Sequence, residues 1–102
     1  MQQYKVIVAD RAKTMLGAHI KFLAGVSPPA ARTTTNKLLA AIKSLDNMPE
    51  RFPFFESDFV PRNKYRKMFV ERWYLILYQV TTNTVYVDYI LDCRQDYGWL
   101  VR

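Results

Sequence analysis

Three basic residues lie close together in one strand-like run of the sequence. Lys64, Arg66 and Lys67 belong to KYRKMFV, whose valine and aromatic residues favour a β-strand. Lysine binds phosphate by charge, and arginine can also donate two parallel hydrogen bonds to one phosphate. The same residue types on an edge strand prevent sheet-to-sheet aggregation. The pattern therefore predicts a phosphate-binding strand, with protection of a sheet edge as the alternative.

A second pair of candidate residues follows the last apolar run. Arg94 and Tyr97 stand in the polar tail DCRQDY, directly after VYVDYIL. A guanidinium group binds phosphate, and a phenol can donate or accept a hydrogen bond. Arg94 could instead form a surface salt bridge with Asp92 or Asp96, which would contribute little to stability. We favour a functional role because a charged tail is costly beside an apolar strand.

Few other residues offer catalytic or metal-binding chemistry. His19 is the only histidine and falls in a helical segment, where we expect a packed or surface role. Cys93 is the only cysteine, which excludes an intrachain disulfide and a cysteine-based metal cluster. Trp73 and Trp99 could stack on bases, although tryptophans flanked by leucine and valine more often fill a core. We predict neither a metal site nor a cofactor.

Length, charge and hydropathy limit the class of protein. The chain has 102 residues and is half hydrophobic, which fits one domain spanning residues 1–102. Lysine and arginine number 15 against 9 acidic residues, and the net charge of +6 favours nucleic acid or an acidic protein as partner. No apolar run approaches the roughly 18 residues of a membrane-spanning helix. The N-terminus does not resemble a signal peptide, so we expect a cytoplasmic protein without a membrane partner.

The order of elements that must position these residues is readable from periodicity. The pattern predicts a strand at residues 4–9, then a helix at 11–24 that ends at Gly25, which tolerates left-handed geometry. A second helix begins at Ser27, with Pro28 in its first turn. Because the connection is so short, the two helices should form an antiparallel hairpin. Residues 50–63 contain prolines and phenylalanines, and we expect an ordered loop whose aromatic residues close the core.

Three apolar runs in the second half predict an antiparallel meander. They are KYRKMFV, WYLILYQV and VYVDYILD, separated by short polar breaks that suit hairpin turns. The predicted architecture is therefore α+β, with the helical hairpin packed on one face of the sheet. The middle run is apolar on both alternations, whereas a half-exposed sheet would alternate with polar residues. A partner or the loop aromatics should cover its second face.

The arrangement resembles the RelE/ParE superfamily of toxins from bacterial type II toxin–antitoxin systems. The likeness rests on the order of elements, the length, and the runs YRKMFVERWYLILYQV and VYVDYILDCRQDYGWL. Family members typically carry a third strand of the form Y-R-hydrophobic-hydrophobic-Y-x-V, and here it reads YLILYQV. They also carry a tail similar to H-G-R-x-D-Y, and here it reads DCRQDY.

The resemblance implies a chemistry and a set of residues. In the ribonuclease branch of the family, the toxin enters the ribosomal A site and the ribose 2′-hydroxyl of mRNA attacks the adjacent phosphate. That reaction needs proton transfer and cations around the crowded phosphate, with no metal. The resemblance assigns catalytic roles to Arg94, Tyr97 and Arg66. It assigns nucleic-acid binding to Lys64, Lys67 and Arg72.

Leu75 departs from the family pattern and keeps other functions open. It stands where the third strand usually has an arginine, and leucine cannot hold a phosphate. The favoured prediction is a ribosome-dependent mRNA endonuclease. The alternatives are a ParE-like inhibitor of DNA gyrase that acts by binding alone, and a non-toxic member that only binds an antitoxin. The resemblance also implies an acidic cognate antitoxin as partner, with a homodimer or a toxin–antitoxin hetero-oligomer as assembly.

Overall fold

The protein is an α+β fold in a computed structural model that describes residues 3–94. Two helices follow the first strand, and three further strands follow the helices, which confirms the predicted order. The helices and strands are β1 (Lys5–Val8), α1 (Asp10–Val26), α2 (Pro28–Lys43), β2 (Arg66–Val70), β3 (Tyr74–Val80) and β4 (Thr84–Asp92). Two short 3-10 turns, Ser44–Asp46 and Pro49–Arg51, lead from α2 into the loop before β2.

The strands form one sheet in the order β1-β4-β3-β2. The last three make the predicted antiparallel meander, in which Val70 pairs with Tyr74 and Tyr74 pairs with Asp92. The first strand lies parallel to β4, with Lys5 opposite Thr84. This order places β2 at one edge of the sheet and β1 at the other.

The helical hairpin turns at Ser27. The first helix runs through Gly25 to Val26, so the prediction that Gly25 ends it was wrong. The helix ends because Ser27 precedes a proline, which disfavours the helical conformation there, and Ser27 is extended with φ −156°. The Ser27 side chain then accepts a hydrogen bond from the Ala30 amide and caps α2, as its position before Pro28 predicts.

The two helices cover one face of the sheet, which we call the helix face. Ala12 of α1 and Leu38 of α2 are fully buried there against Ile76 and Ile90 of the central strands. Tyr78 lies on the same face, and its hydroxyl donates a 2.6 Å hydrogen bond to the Pro49 carbonyl. This burial holds β3 and β4 in fixed positions relative to both helices.

The opposite face of the sheet carries a second, smaller core, and we call it the loop face. Leu75 and Leu77 of β3 are buried there with Leu91 of β4. Phe55 and Val60, from the loop between the helices and β2, pack against this cluster. Of the loop aromatics, Phe55 therefore covers part of the second face, together with Val60 and with Met15 of α1.

Candidate functional site

The predicted basic strand is the edge strand β2. Arg66 and Lys67 are its first residues, whereas Lys64 precedes it and was wrongly placed on the strand. The chain turns at Asn63, which has the left-handed φ of 59° that asparagine tolerates, and it becomes extended only after Tyr65. Lys64 instead lies with its Nζ 5.3 Å from the centre of the Tyr65 ring.

Arg66 is occupied by the loop that precedes β2. Its guanidinium donates hydrogen bonds to the main-chain carbonyls of Phe52, at 2.7 Å, and Glu50, at 3.2 Å. It also lies 4.0 Å from the centre of the Phe54 ring. These contacts fasten the loop to the sheet, so the described geometry of Arg66 is that of a structural side chain.

Arg94 is held by Asp92. Its Nε and Nη2 atoms donate to the two carboxylate oxygens at 2.9 and 2.7 Å, and its backbone amide donates to one of them at 3.0 Å. The Asp92 side chain is only 7% exposed, and the Arg94 side chain is 40% exposed. The hydrogen bonds from Arg94 lower the pKa of Asp92 below its ordinary value, although burial acts in the opposite direction. The salt bridge foreseen from the sequence is therefore present.

The tip of the β2–β3 hairpin brings two arginines to one tryptophan. We call residues Glu71, Arg72 and Trp73 the hairpin tip. The guanidinium carbons of Arg72 and Arg94 lie 5.8 and 5.3 Å from the centre of the Trp73 ring. Trp73 is 44% exposed and belongs to the turn, whereas the sequence prediction made it the first residue of the third strand. No sequence pattern indicates that Arg94 would meet Trp73, because β4 lies against β3 only in the folded sheet.

The backbone of the hairpin tip is strained. Glu71 and Arg72 both have positive φ angles, of 53° and 69°, in a region that costs residues other than glycine roughly 1–2 kcal/mol each. Glu71 forms a 3.1 Å salt bridge with Lys37 of α2. The Trp73 carbonyl accepts a 2.6 Å hydrogen bond from the Cys93 amide. The tip is thus tied to α2 and to the end of β4, and Arg72 and Trp73 are presented at fixed positions.

His19 lies on the inner side of the same region. Its side chain is buried, and Nε2 donates to the Ile90 carbonyl at 2.7 Å, since a carbonyl can only accept. Its ring lies 5.5 Å from that of Tyr74. His19 fastens α1 to β4, in agreement with the packed role expected from the sequence.

The predicted catalytic residues fall into separate groups. Arg66 lies opposite Tyr78, and Asp92, which holds Arg94, lies opposite Tyr74. These two positions are four residues apart along β3, a length of roughly 13 Å. Arg94 and Arg72 converge on the hairpin tip, whereas Arg66, Lys64 and Lys67 lie toward the other end of β2. Tyr97 lies outside the described residues.

Residues 3–94 contain no group of three histidine, cysteine, aspartate or glutamate side chains that is arranged to hold a metal ion. No helix in this range is both long and apolar enough to cross a membrane.

Comparison with known proteins identifies the family. A family model described as the ParE toxin of the type II toxin–antitoxin system parDE matches residues 6–97, which is most of the chain. The chain belongs to the ParE toxin family. A solved chain of the chromosomal ParDE toxin–antitoxin system from P. aeruginosa has the same fold, with a TM-score of 0.73 and 15% sequence identity. The match covers 88% of this chain and 96% of that one. A comparison with curated protein sequences found no match.

Membership of the ParE family confirms the predicted RelE/ParE resemblance. The family match extends from β1 beyond Arg94, so it includes the hairpin tip and the Asp92–Arg94 pair. The chain is therefore a ParE-family toxin of a type II toxin–antitoxin system.

Proposed function

We propose that this ParE-family toxin inhibits DNA gyrase by binding, without cleaving RNA, and that a cognate antitoxin neutralises it. The sequence alone favours ribosome-dependent cleavage, with gyrase inhibition as an alternative. One observation carries the choice. Leu75, at the position of the family arginine, is 7% exposed and packs in the apolar cluster of the loop face. A buried leucine contributes nothing to phosphate chemistry at that position.

The remaining arginines support the same choice. Phosphoryl cleavage by cationic side chains needs several of them around one phosphate. Arg66 and Arg94 lie near opposite ends of β3, and each is engaged by main-chain carbonyls or by a carboxylate. The one described histidine is buried and bonded to the main chain of β4. A gyrase inhibitor needs a shaped surface and no such cluster.

The antitoxin belongs to the proposal because the family functions as a pair. The net charge of +6 favours an acidic partner that folds on contact. The expected assembly is a toxin–antitoxin hetero-oligomer.

Ribosome-dependent mRNA cleavage is the second candidate. It is favoured by the hairpin tip, where Arg72 and Arg94 lie beside an exposed tryptophan. Under this candidate, Arg94, Tyr97 and Arg66 act on the phosphate, and Lys64, Lys67 and Arg72 bind the rest of the RNA strand.

Parallel assays with one preparation of the chain separate the two candidates. In the first assay, purified chain is added to DNA gyrase, relaxed plasmid and ATP, and we expect loss of supercoiling. In the second, it is added to a bacterial translation extract with a defined transcript, and primer extension should show intact RNA. Cleavage ends within translated codons, together with normal supercoiling, would reject the gyrase proposal.

A pair of variants tests whether Arg94 acts on RNA. If the second candidate holds, Arg94→Ala abolishes cleavage, while Arg32→Ala, at an exposed arginine of α2, leaves it intact. Under our proposal neither variant produces or removes RNA ends. Adding the cognate antitoxin before the chain should restore supercoiling.

A further inference from the structure

The exposure of Trp73 is unexplained by packing. Trp73 is 44% exposed, while the neighbouring Tyr74, Leu75 and Ile76 are all buried. A large aromatic side chain that remains open to solvent on a fixed turn is available for a ligand with a planar face.

The charges beside the ring indicate what that ligand carries. Within residues 3–94, the carboxylates of the hairpin tip and of the end of β4 both have cationic partners, Glu71 with Lys37 and Asp92 with Arg94. In the same range Arg72 has no carboxylate partner. It is exposed to solvent, and its guanidinium carbon lies 5.8 Å from the centre of the Trp73 ring. The region therefore offers an unneutralised guanidinium next to an aromatic face, and guanidinium matches the geometry of phosphate.

We propose that the hairpin tip binds single-stranded nucleic acid, with a base stacked on Trp73 and the adjacent phosphate held by Arg72. Arg94, fixed by Asp92, lines the ring and keeps it oriented. The strained turn and its two ties, to Lys37 and to the Cys93 amide, hold the pair in place without ligand. A single strand is required because bases in a duplex are stacked on both faces and offer none to an indole ring.

This site does not rest on gyrase being the target. Gyrase acts on DNA and the ribosome holds mRNA, so either target brings nucleic acid to the toxin. The free oligonucleotide is sufficient to test the site, and the outcome is separate from the inhibition assays described above.

The experiment measures binding of fluorescently labelled oligonucleotides to the purified full-length chain by anisotropy. Ten-nucleotide single strands of DNA and of RNA should bind, and a duplex of the same length should bind more weakly. An abasic strand of equal length and charge separates stacking from charge. If the abasic strand or polyglutamate binds as tightly as the strands with bases, the site is a general polyanion surface and the proposal is wrong.

Variants assign the two contacts. Trp73→Ala should weaken binding at least about five-fold, which is the lower range for one stacked base. Phe22→Ala, at a 66% exposed phenylalanine of α1, is the matched control and should leave binding unchanged. Arg72→Ala should reduce the slope of log affinity against log salt by about 0.7, the value for one phosphate contact on a single strand. Arg32→Ala should leave that slope unchanged.

Fluorescence gives a readout that does not depend on affinity. The chain has two tryptophans, so Trp99→Phe makes Trp73 the only one. Base stacking should quench its emission as the DNA or RNA strand is added, and the abasic strand should quench it much less. Unchanged emission at saturating oligonucleotide, with circular dichroism showing a folded chain, would overturn the proposal.

Discussion

Asp92 determines what Arg94 can do. The carboxylate is buried at the end of β4 and receives three hydrogen bonds from Arg94, two from the guanidinium and one from the backbone amide. These hydrogen bonds satisfy the Asp92 carboxylate. Without them the buried charge would have no partner, which would cost several kcal/mol. Arg94 is therefore first a structural partner of Asp92 and second a cation beside Trp73.

Replacing Asp92 by asparagine should destabilise the protein in a pH-dependent way. Arg94 holds the pKa of Asp92 below the ordinary value of 3.8, so the stabilisation is complete above about pH 5 and is lost as the pH falls below 3.8. At pH 7, Asp92→Asn should lower the free energy of unfolding by about 1–3 kcal/mol. Urea unfolding at several pH values should show that the difference in free energy of unfolding between Asp92→Asn and the wild type becomes smaller below pH 3.8. Asp58→Asn, at an exposed loop carboxylate, should show no difference at pH 7.

Two buried tyrosines predict sensitivity to alkali. Burial raises the pKa values of Tyr65 and Tyr78 from 10.0 to about 12. A group whose pKa is raised by folding stabilises the folded state fully below its unfolded pKa. The contribution of these two tyrosines to the free energy of unfolding should therefore be constant below pH 10 and fall between pH 10 and 12.

Tyr78→Phe isolates one of these contributions. It removes the hydrogen bond to the Pro49 carbonyl and should cost about 1 kcal/mol at pH 8, measured by urea unfolding. Because phenylalanine does not ionise, the difference from the wild type should disappear as the pH rises toward 12. Tyr86→Phe, at an exposed tyrosine of β4, is the control, and an equal effect there would contradict the assignment to burial.

At the scale of elements, the β2–β3 hairpin keeps an unfavourable turn. Three residues connect Val70 to Tyr74, and two of them, Glu71 and Arg72, have positive φ angles that favour glycine or asparagine. Glu71 binds Lys37 of α2, and Arg72 lies beside Trp73. The side chains at these positions thus have contacts that glycine could not make, which accounts for a turn that is locally strained.

Glycine and alanine at position 72 should separate strain from side-chain loss. Both Arg72→Gly and Arg72→Ala remove the guanidinium, but only alanine keeps a β-carbon at φ 69°. Arg72→Gly should therefore be about 1 kcal/mol more stable than Arg72→Ala in urea unfolding. At Arg32, inside α2, the order should reverse by a similar amount. Equal stability of the two variants at position 72 would show that the turn is not strained.

At the scale of the whole molecule, the sheet is buried on both faces. The two helices cover the helix face, and Phe55 and Val60 of the loop cover the loop face together with Met15 of α1. Leu75 belongs to the loop face, so the position where the family arginine stands is here part of a core.

Restoring that arginine should damage the core without creating a nuclease. Leu75→Arg places a charge among buried leucines and should lower the free energy of unfolding by about 2 kcal/mol or more. Leu39→Arg, at a half-exposed leucine of α2, should change it by less than about 0.5 kcal/mol. Primer extension with the Leu75→Arg variant should still show intact RNA, because Arg66 and Arg94 remain at opposite ends of β3. New cleavage ends would show that position 75 alone decides between the two candidate activities.

The amino-acid sequence determined the elements and the family. Hydrophobic periodicity and the Ser27–Pro28 signal are local properties of the chain, and they predicted the helices, the meander and the α+β class. The apolar third strand predicted that both faces of the sheet would be covered. Residue spacing also indicated the Asp92–Arg94 pair, because its members are only two positions apart.

The tertiary structure decided every contact between residues distant in the sequence. The parallel pairing of β1 with β4, the attachment of Arg66 to the loop and the convergence of Arg72 and Arg94 on Trp73 all depend on strand order and register. Periodicity states which side of an element is apolar and carries no information about which element it faces. For that reason the sequence predicted a set of basic candidates, and only the folded sheet divided them into structural arginines and an exposed hairpin tip.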